Sequence, residues 1–162
     1  MRIRIRGRGG SETGSALVEL AMALPLLVII MIITIDFARV FYLGMALTNA
    51  ARAGAQFGVQ TLARTGDFVN IQNTATAATN VTGITAVATR LCQCATNAGV
   101  FSGTAPGANS CNNAESVACP GAHRVMTVTV TTTKAFRTIM RAVPGVANPL
   151  TLTRTATLRV VQ

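Results

Sequence analysis

The sequence predicts an α+β protein: a long N-terminal transmembrane α-helix, then a small head with a short helix and a three-stranded, mostly antiparallel sheet. An apolar stretch without a charged residue runs from Leu20 to Ile35. Valine and threonine alternate in residues 124–133, and apolar and polar residues alternate again in residues 150–160. The first pattern is typical of a membrane span, and the other two are typical of half-buried strands.

A basic leader precedes the apolar stretch. Residues 1–14 carry four arginines at alternate positions, namely Arg2, Arg4, Arg6 and Arg8. Because basic residues beside a membrane span hold that end in the cytoplasm, we expect residues 1–14 to be a cytoplasmic leader. The alternative is a cleaved secretory signal peptide, for which Gly44-Met45-Ala46 is a weak cleavage site.

The helical pattern continues beyond the apolar stretch. Residues 20–35 alone would rise about 24 Å as a helix, slightly less than the hydrocarbon core of a bilayer. We therefore predict one helix over residues 15–62, with a transmembrane part at about residues 17–42. Pro25 would break a helix in water, but it is tolerated in a helix embedded in lipid.

Charged and aromatic residues mark the outer end of the predicted span. Asp36 and Arg39 stand three residues apart, so we expect them to pair on one helix face near the membrane interface. Aromatic side chains favour that interface. Three of them follow there, at Phe37, Phe41 and Tyr42.

A stripe of small residues continues along the same helix. Its members recur every four residues, at Ala46, Ala50, Gly54 and Gly58. Small side chains let another element approach the backbone closely. The stripe is therefore a predicted helix-packing surface, and its partner is either the chain's own head or a neighbouring subunit.

Residues 63–162 are predicted to form the extracytoplasmic head. Asp67 can cap a second helix that runs from Phe68 to about Thr79. The strands are expected at Ile84–Cys92, Arg124–Thr133 and Leu150–Val160, because threonine and apolar residues alternate there. The inner face of such a sheet needs a helix to cover it, and the second helix and the outer part of the long helix are both available.

The cysteines Cys92, Cys94, Cys111 and Cys119 lie in or beside a predicted loop over residues 92–121. Disulfides are their expected state if the head is exported. A bond between Cys92 and Cys94 would close a tight ring, which leaves Cys92–Cys111 with Cys94–Cys119, or Cys92–Cys119 with Cys94–Cys111. Tetrahedral zinc is the alternative. The spacing lacks the paired Cys-x-x-Cys knuckles that are usual for zinc, so we expect no metal.

Composition argues against several function classes. The net charge of +9 is compatible with nucleic acid, anionic lipid or an acidic partner. The basic residues stand in the leader or singly, without the interleaved aromatic residues that stack on bases, so we expect no nucleic-acid partner. His123 is the single histidine, and spacing offers it no nucleophile. We therefore expect no catalytic residue, no cofactor and no small-molecule substrate.

Glu19 is the most unusual residue of the span. An ionisable side chain inside a membrane helix costs on the order of 2–3 kcal/mol on insertion scales. It either extends to the cytoplasmic interface or meets a positive charge within the membrane. Cleavage of the chain after Gly14 would supply such a charge, because Ser15 would then carry a free amino group.

The residues around Glu19 resemble a known family. TadE-like proteins, the minor pilins or pseudopilins of the tight-adherence (Tad) pilus, have an N-terminal segment similar to Gly14-Ser-Ala-Leu-Val-Glu19-Leu-Ala-Met-Ala-Leu-Pro25-Leu-Leu. The segments 36–42 and 49–55 also resemble the family, as does the threonine-rich C-terminal strand. The similarity is close over residues 14–58 and loose beyond them.

The resemblance implies cleavage after Gly14 by a prepilin peptidase, which would make Glu19 the fifth residue of the mature chain. It also implies assembly with other pilin-like subunits and Tad assembly proteins, in the assembly or priming of a type IV (Flp) pilus for surface adhesion. The protein would then be a single-pass protein of the bacterial inner membrane with a periplasmic head, able to enter a surface pilus. An alternative from another class is a membrane-anchored periplasmic binding domain that never assembles.

Overall fold

The computed structural model describes residues 12–96, 101–102, 123–139 and 148–160. The chain forms two compact units, the first ending at Arg39 and the second beginning at Val40. The leader arginines, Cys111 and Cys119 lie outside the described residues, so the expectations for them stay predictions.

Helix α1 spans Glu12–Val59 and contains Pro25. It begins inside the expected leader and ends three residues before the expected end. The end is marked by a backbone hydrogen bond from the Gln60 N–H to the Phe57 carbonyl at 3.4 Å, the i→i+3 spacing common where helices terminate. We call residues 14–39 the inner half of α1 and residues 40–59 its outer half.

Helix α2 spans Phe68–Ala77 and follows a short 3₁₀ turn at Ala63–Gly66. The predicted cap is confirmed, since the Asp67 carboxylate accepts a hydrogen bond from the Asn70 backbone N–H at 3.2 Å. The helix ends two residues before the expected Thr79. Ala78 is the C-terminal cap of the helix and is exposed.

Within the described residues four strands form one antiparallel sheet. Three of them are the predicted strands, although their bounds differ from the expected ones. The strands are β1 at Thr85–Ala95, β2 at Phe101–Ser102, β3 at His123–Phe136 and β4 at Leu150–Arg159. Their order in the sheet is β2-β1-β3-β4.

Three details of the sheet differ from the sequence prediction. The cysteine-containing segment begins as a strand, because Cys92 and Cys94 pair with Met126 and Arg124 of β3. β2 is an additional edge strand of two residues, in which Phe101 and Ser102 pair with Ala95 and Cys94 of β1. β3 also continues to Phe136, whose side chain is buried.

The head core lies between the inner face of the sheet and two helices, α2 and the outer half of α1. One cluster joins buried residues from both helices and from β1 and β3: Ala55, Ile71, Ala75, Ala88, Cys92, Met126, Val128 and Val130. A second cluster joins the outer half of α1 to the start of β1 and the end of β3, through Leu43, Leu47, Ile84 and Phe136. The expected covering of the sheet by both helices is therefore confirmed.

The outer face of the sheet is lined with threonines. The Thr129 hydroxyl is 2.9 Å from that of Thr157, and the Thr131 hydroxyl is 3.3 Å from that of Thr155. These cross-strand pairs are the outward half of the alternation that predicted the strands. The alternation therefore distinguishes the two faces of β3 and β4.

Candidate functional site

The residues of the expected processing site lie in the first turns of α1. Gly14, Ser15 and Glu19 are all exposed, and a side chain added at Gly14 would meet no atom within 4 Å. Ser15 and Glu19 are four residues apart in a helix, so they lie on one face, one turn apart. An amino group at Ser15 would therefore start on the same helix face as the Glu19 carboxylate.

The inner half of α1 has the length and composition of a membrane span. The most apolar window in residues 14–59 has a mean hydropathy of 2.8, and none of that window is buried within the protein. The predicted ion pair is confirmed, with 2.9 Å between Arg39 Nη1 and Asp36 Oδ1. The Thr34 hydroxyl donates to the Ile30 carbonyl at 2.8 Å. These polar groups thus find partners on the helix itself, as a lipid environment requires.

The small-residue stripe lies against the chain's own head. An added Cβ at Gly54 would come within 2.8 Å of the Ala75 Cβ and 3.0 Å of the Ile71 carbonyl oxygen, both on α2. One at Gly58 would come within 2.9 Å of Ile71 Cδ1 and 3.0 Å of Val128 Cγ1. Only glycine allows this approach of α1 to α2 and β3.

The stripe members differ in exposure. Ala50, Gly54 and Gly58 are buried, whereas Ala46 is half-buried. Ala46 lines a groove of about 330 Å³ together with Tyr42, Met45, Asn49 and residues 78–80. A neighbouring molecule could therefore reach the stripe at Ala46 without opening the head.

A second face of the outer half of α1 is exposed. It carries Phe41, Met45, Asn49 and Arg52, whose spacing of four, four and three residues defines one side of a helix. These residues line a groove of about 400 Å³, to which β4 contributes Arg154. An added Cβ at Gly44 would lie 3.4 Å from the Arg154 guanidinium, so that side chain lies over the helix at this position.

Cys92 and Cys94 are both disulfide-bonded. Cys92 is buried in the first core cluster, whereas Cys94 is half-buried. Their predicted partners Cys111 and Cys119 lie outside the described residues, and the connectivity stays a prediction. Among the residues that the structure does describe, no group of three His, Cys, Asp or Glu side chains could hold a metal ion.

The comparison with known families concerns the N-terminal segment of the chain. Residues 14–56 match the model of the family described as TadE-like protein. The N-terminal segment is TadE-like. No curated protein and no solved structure matches the chain. The match covers less than half of the chain, and the long apolar helix that it includes has the length and composition to cross a membrane.

The TadE-like segment covers only part of the candidate site. It includes Gly14, Ser15 and Glu19, and the stripe as far as Gly54. It stops two residues before Gly58, and it leaves out α2, the sheet and all cysteines. What the head contributes must therefore be argued from the geometry of the head.

Sequence reasoning missed several residues that the fold brings together. Ala51 and Ala55 are fully buried beside the stripe, and Thr132 is fully buried in β3. The Thr132 hydroxyl donates to the Leu47 carbonyl of α1 at 2.9 Å. The available signal was the register of β3, since Thr132 shares the inward face with Val128 and Val130.

Proposed function

We propose that this protein is a pilin-like subunit that acts in the assembly or priming of a Tad pilus for surface adhesion. The match of residues 14–56 to the TadE-like family supports this function most strongly. The inner half of α1 would anchor the subunit in the inner membrane, and the head would be periplasmic. The arginine-rich leader supports that orientation, because positive charge stays on the cytoplasmic side.

Processing would convert the anchored precursor into an assembly-competent subunit. A prepilin peptidase would cut the Gly14–Ser15 bond on the cytoplasmic side, and the mature chain would begin with the Ser15 amino group. This bond lies in the first exposed turns of α1. Terminal turns lack part of their backbone hydrogen bonding, so they can open for a protease at low cost.

Glu19 would then set the register of assembly. A carboxylate within a membrane helix costs on the order of 2–3 kcal/mol, and this cost falls when a positive charge lies close by. The amino group of Ser15 in the same or a neighbouring subunit would supply that charge. A neighbouring subunit displaced along the helix axis would lose the pair, so one register would be preferred.

The buried stripe directs assembly contacts to other parts of α1. Gly54 and Gly58 contact α2 and β3 of the same chain, so they are occupied in the folded subunit. Helix contacts between subunits would therefore use the inner half of α1 and the half-buried Ala46. The disulfides of Cys92 and Cys94 would stabilise the head in the oxidising periplasm.

The function can be tested with the isosteric variant Glu19→Gln, with Glu12→Gln as its matched control. Both remove one acid near the start of α1, but Glu12 would be discarded with the leader. We expect Glu19→Gln to abolish piliation while membrane insertion and protein level are retained, and Glu12→Gln to piliate normally. Normal piliation of Glu19→Gln would overturn the role of this charge.

The intact mass of the membrane-extracted protein tests processing independently. A mass matching residues 15–162 supports cleavage by a prepilin peptidase, whereas full-length protein contradicts it. Two results together would favour the membrane-anchored binding domain that never assembles: the protein stays full-length, and a strain that lacks the protein forms pili normally.

A further inference from the structure

The groove beside Arg52 and Arg154 combines positively charged side chains, which suit an anion, with apolar side chains. Its volume is about 400 Å³. Its lining includes the two arginines, the polar side chains of Thr48 and Asn49, and the apolar residues Val40, Phe41, Gly44 and Met45. A ligand that matches this lining carries a negative charge next to an apolar body.

The positive charge of the groove is not neutralised within the described head. No carboxylate of the described residues lies within 4 Å of the Arg52 or Arg154 guanidinium. Asp67, the acid of the described head, is occupied as the cap of α2. Arg154 donates one hydrogen bond to the neighbouring Thr153 carbonyl at 2.9 Å, which leaves most of its five N–H donors for a ligand.

Other basic side chains of the head contact the chain itself. Arg64 lies over the Phe57 ring at 4.6 Å, the Arg90 guanidinium donates to the Thr65 hydroxyl at 3.1 Å, and the Lys134 ammonium donates to the Thr82 carbonyl. Arg52 and Arg154 differ because they converge on one groove from two elements, α1 and β4. A guanidinium group suits a phosphate, whose oxygens accept several charged hydrogen bonds.

The position of the groove along α1 supports a lipid as the source of that phosphate. Its first residue, Val40, follows the inner half of α1 directly, and Phe41 is one of the exposed aromatic residues expected at the membrane interface. Arg154 lies over Gly44, which is about 4.5 Å of helix rise beyond Phe41. That rise falls within the headgroup layer of one leaflet, which is roughly 5–7 Å thick.

We propose that this groove binds the headgroup of an anionic phospholipid from the leaflet next to the head. Arg154 holds the phosphate, Thr48, Asn49 and Arg52 contact the outer part of the polar headgroup, and Phe41 contacts the glycerol and upper acyl region. This inference uses the membrane anchoring of the chain but not pilus assembly. Its test is therefore made on unassembled protein.

The test measures lipid adducts of the full chain in detergent by native mass spectrometry, with phosphatidylglycerol and phosphatidylcholine as probes. We expect phosphatidylglycerol to bind several-fold more tightly. Arg154→Gln and Arg52→Gln should each weaken its binding about fivefold. The control Arg137→Gln removes the same charge from an exposed position outside the groove and should change binding less than twofold.

Gly44→Leu separates a shaped site from general positive charge. It keeps every arginine but fills the groove below Arg154, so phosphatidylglycerol binding should fall as it does in Arg154→Gln. Three results would overturn the proposal: unchanged binding in the double variant R52Q/R154Q, an equal loss in Arg137→Gln, or equal affinity for the two lipids. Capture of a protein rather than phospholipid by a photoreactive residue at Met45 in cells would also overturn it. None of these results bears on Glu19, so the proposed function is tested separately.

Discussion

The two halves of α1 differ in whether their large apolar side chains are exposed or buried. In the inner half nearly all large apolar side chains are exposed, including Leu17 at 68% and Met22 at 72%. In the outer half Leu43 and Leu47 are buried together with a set of small residues, Ala50, Ala51, Gly54, Ala55 and Gly58. Both halves are helical without interruption.

The difference shows how two solvents select side chains on one helix. Fluid lipid adapts to any apolar shape, so leucine, isoleucine and methionine occupy every side of the inner half. A folded head has fixed shape and interior packing density, so the outer half needs small residues where α2 and β3 approach. The same substitution should therefore destabilise the head when it is made in the outer half and leave the head unchanged when it is made in the inner half.

The largest effect is expected for Leu47→Ala. Leu47 is fully buried against Ile84 and Phe136, and truncating a buried leucine costs about 3 kcal/mol through lost burial and a residual cavity. Leu24→Ala is the matched control in the inner half, where the side chain is 53% exposed. It should leave the free energy of unfolding of the head unchanged.

The free energy of unfolding of both variants is measured by urea unfolding of the full chain in micelles, with hydrogen exchange of the β1 and β3 peptides as the readout. Equal stability of Leu47→Ala and wild type would contradict the assignment of the outer half to the head core.

A smaller loss is expected for Gly54→Ala. The new methyl group would meet the Ala75 Cβ at 2.8 Å and the Ile71 carbonyl oxygen at 3.0 Å, and neither α2 atom can move without shifting the helix. Overpacking of this kind costs typically 1–3 kcal/mol, and we expect about 2 kcal/mol in the same unfolding measurement.

Gly44→Ala is the control for this prediction. Its Cβ would meet only the flexible Arg154 side chain at 3.4 Å, and alanine improves helix propensity by up to about 1 kcal/mol. The head should therefore be unchanged or slightly more stable. If both glycine variants behaved alike, helix propensity rather than close packing would explain the stripe.

The smallest effect is expected for Thr132→Val. The buried Thr132 hydroxyl donates to the Leu47 carbonyl at 2.9 Å and so links β3 to α1. A hydrogen bond of this kind contributes about 1 kcal/mol. Thr131→Val removes an exposed hydroxyl from the next residue, where the cross-strand oxygen distance is 3.3 Å.

The Thr131 variant should lose less than about 0.5 kcal/mol, since exposed substitutions have small effects. Thermal unfolding of the two variants in parallel measures the difference. If Thr131→Val loses as much stability as Thr132→Val, the hydrogen bond from Thr132 to the Leu47 carbonyl stabilises the head no more than an exposed threonine hydroxyl does.

The parts of the fold with a strong period could be predicted from the sequence. The apolar stretch predicted the inner half of α1, the Asp67 cap predicted the start of α2, and alternation predicted β1, β3 and β4. Each of these signals is local, because it depends on neighbours within one or two turns of a helix or within one strand.

The remainder depends on contacts that have no local signal. β2 has only two residues, too few for a period. Ala51 and Ala55 are core residues, but alanine differs little in hydropathy from its surroundings. The predicted stripe therefore does not include them. Thr132 has a polar hydroxyl that concealed its inward position. The approach of Arg154 to Gly44 joins residues far apart in sequence, and only the folded sheet brings them together.

The continuity of α1 has a mechanical consequence for the protein. No linker separates the apolar inner half from the part of the helix that fills the head core, where Leu47, Ala50 and Ala55 are fully buried. A linker under tension would first lengthen, whereas here the load passes directly into the core. Extracting the outer half would shear contacts along about 30 Å of helix at once. The head should therefore yield to force in one cooperative step, with no slack before it.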